Sequence, residues 1–252
     1  MNANVGENNI VAENTIVEQE LKEKTDVRKA VYGVFKRIID ILGGFVGAIL
    51  LIPVTIGVYI ARKILKEDDG PLFYEQLRYG KDGKKFRIYK FRSMCVDADK
   101  KLKEYLANND EARKEFEENQ KLKNDPRITK IGDFLRKTSI DELPQLINVL
   151  KGEMSLIGPR PIVDGEIEKY GTNKDKFLSV KPGLTGYWAA NGRNNITYSE
   201  RIKMELYYVD NMSFGLDLKI FFKNNCFGYK KRRSKLRGKI YNVKNINYYA
   251  GI

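Results

Sequence analysis

Between Asp40 and Arg62 runs "ILGGFVGAILLIPVTIGVYIA", 21 residues without a charge. At about 1.5 Å per residue, a straight helix of that length just reaches across a hydrocarbon layer of about 30 Å. Such a run folds as a membrane segment or as the buried helix of a soluble domain, and its freedom from charge favours the membrane. Pro53 lies past its middle, where proline removes a backbone hydrogen bond and bends or breaks a helix. Basic residues flank both ends, Lys36 and Arg37 before and Arg62, Lys63 and Lys66 after. Positive flanks tend to stay cytosolic. A helix bent at Pro53 that enters and leaves by the cytoplasmic leaflet satisfies both features; a kinked spanning helix satisfies the first. Residues 1–33 are polar and mixed in charge and read as a mobile extension. They make no signal peptide, because the apolar stretch starts too late.

The 252-residue chain contains no histidine, which removes histidine base catalysis, Ser-His-Asp triads and histidine-bound zinc. Cys95 and Cys226 are far apart in sequence and form no metal-type pair, as in a chain of a reducing compartment. Chemistry is left to carboxylates, lysine, tyrosine and hydroxyls. Of the formal charge of +13, ten Lys and Arg follow Asp217, with no acid among them. This tail suits an anionic bilayer or a nucleic acid, or is a solvated end.

"GPLFYEQLRYGKDGKKFRIYKFRSM" predicts a hairpin turning at "KDGK", with Lys90 and Arg92 on a basic face or aimed at an anion. Residues 96–123 predict a charged surface helix or helix pair. Leu143, Leu146, Ile147 and Leu150 mark one face of a helix closed by Lys151 and Gly152. At its start, Ser139 and Glu142 match a capping box, so the adjacent acids Asp141 and Glu142 read first as capping residues. Their company suggests more. Arg136 precedes them, and Arg160 follows in "GPRP", stiffened by Pro159 and Pro161 for bidentate contact with phosphate or carboxylate. Acids and phosphates sharing one helix end call for a divalent cation such as Mg²⁺. Together they describe a phosphoryl-transfer site that needs no histidine. "VKPGLTGYWAANGRNN" adds the only tryptophan, Trp188, and Arg193 in a loop that contacts a nucleotide or sugar or merely connects strands. Residues 198–225 read as amphipathic helices suited to the bilayer interface.

"KRIIDILGGFVGAILLIPV", "YKFRSM", "DPRITKIGDFLRKTSIDELPQLINVLKGEMSLIGPRP", "KPGLTGYW" and "YYVDNMSFGLDLKI" occur in this order. Over roughly residues 34–223 they resemble the bacterial sugar transferase family, the monotopic polyprenyl-phosphate phosphoglycosyl transferases. The resemblance implies an α+β fold: a re-entrant membrane helix-break-helix hairpin (34–66), a cytosolic catalytic domain of helices and a short sheet (67–223), and a basic tail (224–252). It implies transfer of a sugar 1-phosphate from a UDP-sugar to undecaprenyl phosphate with Mg²⁺, releasing UMP, on the cytosolic face of the inner membrane. By the same resemblance Asp141 is the nucleophile, Glu142 the metal ligand, Arg136 and Arg160 phosphate ligands, and Pro53 the membrane break. Ile52 stands where family members often have serine, so a hydroxyl's help at the kink is missing. Anionic lipids are expected partners and nucleic acid is not; a homodimer is compatible with the sequence. Mg²⁺ and the arginines are expected to hold Asp141 ionised below its ordinary pKa of about 3.9. Two other classes fit parts of the chain: a membrane-anchored polyanion binder without catalysis, and a glycosyltransferase releasing UDP.

Overall fold

The computed structural model describes residues 3–119, 122–191 and 196–224. Helix α1 (Ala3–Ile64) runs through Pro53 without interruption. It takes in most of the polar stretch read as an extension as well as the apolar run, so the break expected at Pro53 is absent. Proline removes one N–H, and its neighbours can keep helical dihedrals. The Thr55 hydroxyl adds a bond to the Leu51 carbonyl (2.7 Å) across that position.

Strands β1 (Phe73–Tyr79) and β2 (Lys85–Phe91) pair antiparallel, from Phe73 opposite Phe91 to Tyr79 opposite Lys85. The hairpin matches the sequence expectation. Asp82 (φ 56°) and Gly83 (φ 74°) take left-handed backbone in the turn, which is why Asp-Gly stands there. Two charged helices follow, α2 (Ala98–Ala107) and α3 (Asp110–Asn119). Next come α4 (Lys130–Thr138), a tight 3-10 turn (Ile140–Glu142) and α5 (Gln145–Lys151). Strand β3 (Ser155–Ile157) leads into α6 (Asp164–Ile167) and α7 (Lys174–Leu178), then β4 (Gly183–Thr185) and α8 (Tyr187–Asn191). Helix α9 (Tyr198–Asp210) and a helix over 214–224, α10, complete the described chain. β3 and β4 are parallel, with Ser155 beside Gly183 and Ile157 beside Thr185. The fold is α+β.

Although α1 is apolar nearly all round over 41–61, the protein covers only one stripe of it. Asp40, Gly44, Leu51, Val58 and Arg62 are buried at helical spacing, whereas Leu42, Phe45, Leu50, Ile52 and Ile56 are exposed. Glycines let the domain approach the α1 backbone. A Cβ at Gly47 would lie 2.5 Å from Leu146 Cδ1, and one at Gly43 2.6 Å from Leu156 Cδ1. Farther along, Leu51 and Val58 join a core with Phe91 and Leu135, against which Leu143 and Ile147 pack. The α5 face read from its periodicity is thus turned to α1 and β2.

Polar ties secure the same stripe at both ends. Asp40, only 4% exposed, accepts from Ser155 Oγ (3.0 Å) and Leu156 N (2.8 Å). Arg37 donates to the last carbonyls of α5, Val149 (2.7 Å) and Leu150 (2.8 Å), and Lys36 pairs with Asp217 of α10 (2.6 Å). At the far end Arg62 donates to the Asp68 carbonyl (2.8 Å), while Glu67 accepts from Ile131 N of α4 (2.8 Å).

Candidate active site

The turn carrying Asp141 and Glu142 is set by the end of the helix before it. Ser139 adopts left-handed backbone (φ 60°) and closes α4, its N–H bonding to the Leu135 and Arg136 carbonyls. An N-cap requires extended backbone, so one residue cannot also start a capping box. The box expected of Ser139 and Glu142 does not form, and the two acids occupy the 3-10 turn between α4 and α5. Glu142 Oε1 instead accepts from Lys90 Nζ of β2 at 3.0 Å.

Asn148 fixes the distance between that turn and β2. Fully buried on α5, it donates to the Arg87 carbonyl (2.7 Å) and to Glu153 (2.7 Å), and accepts from Tyr89 N (3.1 Å). One amide thus ties α5 to the strand that supplies Lys90. Arg136, on the last turn of α4, donates from Nε to Ser93 Oγ (2.8 Å) just beyond β2.

Burial, followed by the adjacent charge of Glu142, pushes the Asp141 carboxyl above its ordinary value, against the opposing pull of Lys90 and Arg136. The expectation of a depressed Asp141 is therefore reversed for the protein groups alone. Desolvation outweighs two cations that do not touch it directly.

Arg92 does meet an anion, but one supplied by the protein. It pairs with Asp68, which also receives Arg62 (3.3 Å) and the Gly70 (3.2 Å) and Val96 (3.1 Å) amides. Burial pushes the Asp68 carboxyl up, but those amides and then the arginines more than offset it and hold it below its ordinary value. This cluster fastens the C-terminal end of α1 to β2, a structural role in place of the expected phosphate contact. Arg193 lies outside the described residues, as does the basic tail from residue 225.

Arg160 is held by its backbone. Its N–H donates to Glu205 Oε1 (3.3 Å) on α9, and its guanidinium lies 5.8 Å from the centre of the Trp188 ring. Glu205 is 1% exposed and also accepts from Tyr170 Oη (2.6 Å). Burial pushes its carboxyl up to about 7, opposed by Tyr170, Arg201 and Arg160. Arg78 of β1, whose Nη1 donates to the Pro161 carbonyl (3.2 Å), joins this cluster, and it, Arg201 and Glu205 were missed by sequence reasoning. The one signal for Arg78 is an arginine inside an aromatic strand pattern, "LRYG". Nothing local marks Glu205, which reaches Arg160 across 45 residues.

The chain thus sets a pair of adjacent carboxylates among ammonium and guanidinium groups on a small α+β domain mounted along a helix apolar and long enough to cross a membrane. Sequence comparison gives this arrangement its family. The family model described as bacterial sugar transferase matches residues 31–230, and the chain belongs to this family. A protein named undecaprenyl-phosphate galactose phosphotransferase from Salmonella typhimurium is 49% identical over 188 residues, 75% of this chain and 39% of that one. A protein named UDP-glucose:undecaprenyl-phosphate glucose-1-phosphate transferase from Klebsiella pneumoniae is 40% identical over 197 residues, covering 75% and 39%. The exopolysaccharide production protein ExoY of Rhizobium meliloti is 40% identical over 203 residues, covering 81% and 89%. The chain spans about two fifths of the length of the first two of these relatives.

Proposed function

We propose that the chain transfers a sugar 1-phosphate from a UDP-sugar to undecaprenyl phosphate, releasing UMP, with Asp141 as the covalent nucleophile. The observation that carries this reading is the turn of Asp141 and Glu142, closed by left-handed Ser139, with Glu142 paired to Lys90 and Asp141 under the charge of Lys90 and Arg136. The names of the relatives support both substrate classes, and UDP-galactose and UDP-glucose are the donors to try first.

In the first step an Asp141 carboxylate oxygen attacks the sugar-bearing phosphorus. The bond from that phosphorus to the bridging oxygen breaks, and UMP leaves with the electron pair. In the second, an oxygen of undecaprenyl phosphate attacks the same phosphorus and the Asp141 carboxylate departs. No proton need be removed from the nucleophile, which suits a chain without histidine. Burial and Glu142 make the charge on Asp141 costly, and bond formation to phosphorus relieves that cost. Lys90 and Arg136 oppose the negative charge gathered by two phosphates and two acids.

Mg²⁺ fits the donor set. Two carboxylates share one turn, and the repulsion between them leaves a place for a divalent charge. Among the described residues no third carboxylate, cysteine or histidine joins them, the sparse protein ligation usual where substrate phosphates complete the shell. Glu142 would hold the ion, which when bound would neutralise phosphate charge.

The apolar segment is read as monotopic, with both ends on the cytosolic face. Ties of Arg37 and Asp40 at one end and Arg62 at the other to the same domain support this.

The test is a single-turnover assay with UDP-sugar and no acceptor. Wild type should release about one equivalent of UMP per active enzyme and retain labelled sugar phosphate. Asp141→Asn should fold and release none. Normal turnover by Asp141→Asn, or release of UDP, would overturn the reading.

A further inference from the structure

Arg78, at the end of β1, is aimed at the "GPRP" segment. Its side chain is 10% exposed, and Nη1 donates to the Pro161 carbonyl, the residue after Arg160, at 3.2 Å. Nη2 donates to Gln76 Oε1 (2.6 Å). Its nearest carboxylate, Glu166, stands 3.7 Å away and is shared with Arg201 at 3.4 Å. Arg201 also faces Glu205 at 3.7 Å, so the acids of this cluster lie mainly around Arg201.

That leaves three guanidiniums, Arg78, Arg160 and Arg201, facing two carboxylates, one positive charge in excess. Among the described residues Arg160 makes no ion pair, its side chain resting on Trp188. Nε of Arg78 and Nε of Arg160 are both buried without a hydrogen-bond partner, as is Nε of Arg201, which however faces Glu205 at 3.7 Å. Buried N–H donors of a charged group are rarely left unmet, and two like charges fixed side by side repel unless an anion sits between them. Burial, then the charge of Arg160, pushes the Arg78 guanidinium below its ordinary value, while Glu166 first among others pulls it up. Arg78 thus feels the charge of Arg160 at the "GPRP" segment, to which its own side chain is bonded.

We infer that Arg78 and Arg160 together form a phosphate-binding station at the "GPRP" segment, with Arg78 supplying the second guanidinium. The planar fork of each arginine matches phosphate oxygens, and the two orphaned Nε groups are the donors such an oxygen would satisfy. The chemistry recognised is a phosphate group, either the diphosphate of a nucleotide-sugar donor or the terminal phosphate of a lipid acceptor. This assignment of substrates rests on the proposed function; the binding of phosphate does not.

The experiment uses the full chain in detergent or nanodiscs and measures binding of inorganic phosphate and of UMP by titration calorimetry. Arg78→Gln should weaken phosphate binding on the order of tenfold or more, with Arg78→Lys between the two. Arg78→Lys keeps the charge and decides the matter if Arg78→Gln fails to fold. Steady-state kinetics then separate the sources: a rise in KM for the UDP-sugar assigns the station to the donor, and a rise in KM for the polyprenyl phosphate assigns it to the acceptor. Unchanged phosphate and UMP affinity in both variants, or no phosphate binding by wild type, overturns the station. Loss of phosphate binding in an enzyme that never carries a phosphosugar would uphold the station and reject covalent transfer; the reverse pattern would do the opposite.

Discussion

Glu205 is closed off from solvent by Tyr170, Arg201 and the Arg160 backbone, and this enclosure gives the chain a pH response. Its carboxyl titrates near 7 when folded, against an ordinary value of 4.5. Between those values the folded state keeps a proton that the unfolded chain has lost. Stability therefore falls as pH rises through that window and stays at the lower level above it. Glu205→Gln should flatten the fall, and denaturant melts at about pH 5 and about pH 8 measure it. Equal losses in variant and wild type would show that another group titrates. At the same scale, Arg160→Lys keeps a charge but loses the fork, so transfer should drop on the order of tenfold with folding retained. Wild-type rates in that variant would make Arg160 a structural tie. Arg160 was legible because two prolines announce a fixed backbone. Arg92 was legible as a cation but not as the partner of Asp68, since that pairing spans 24 residues and depends on where α1 ends.

Periodicity revealed α5 and alternation revealed the hairpin, because both depend on neighbours three or four, or two, positions away. The start of α5 was misread for a related reason. Ser139 has a capping residue's chemistry, but the end of α4 claims its backbone first. Nor did the sequence show that one amide on α5 would hold the edge of β2. Asn148→Ala removes three hydrogen bonds from a dry site and leaves their partners unmet, at a cost of roughly 3 kcal/mol. For a chain of this size that lowers Tm by about 6–12 °C. Because Lys90 sits on the same strand, activity measured well below the melt should fall too. A variant with wild-type Tm would mean that water replaces the amide.

At the scale of the whole molecule, the decisive feature is that one domain grips α1 from Arg37 to Arg62. Single cysteines near residues 36 and 63, labelled in intact cells by an impermeant reagent, should both stay protected until the inner membrane is opened. Labelling of one from outside would establish a spanning helix. The sequence displayed an apolar run but not its covered stripe, because a stripe is defined by the partner it meets and 41–61 is apolar in nearly every direction.

A body clasped along its anchor in this way cannot swing on a hinge toward a distant target. If the anchor lies in the bilayer as proposed, catalyst and acceptor meet by lateral drift in one sheet of lipid. The quantity that then governs their encounter is molecules per unit area. Diluting the acceptor with inert phospholipid, at fixed bulk concentration of both protein and acceptor, should slow the reaction in proportion to the acceptor's mole fraction in the membrane.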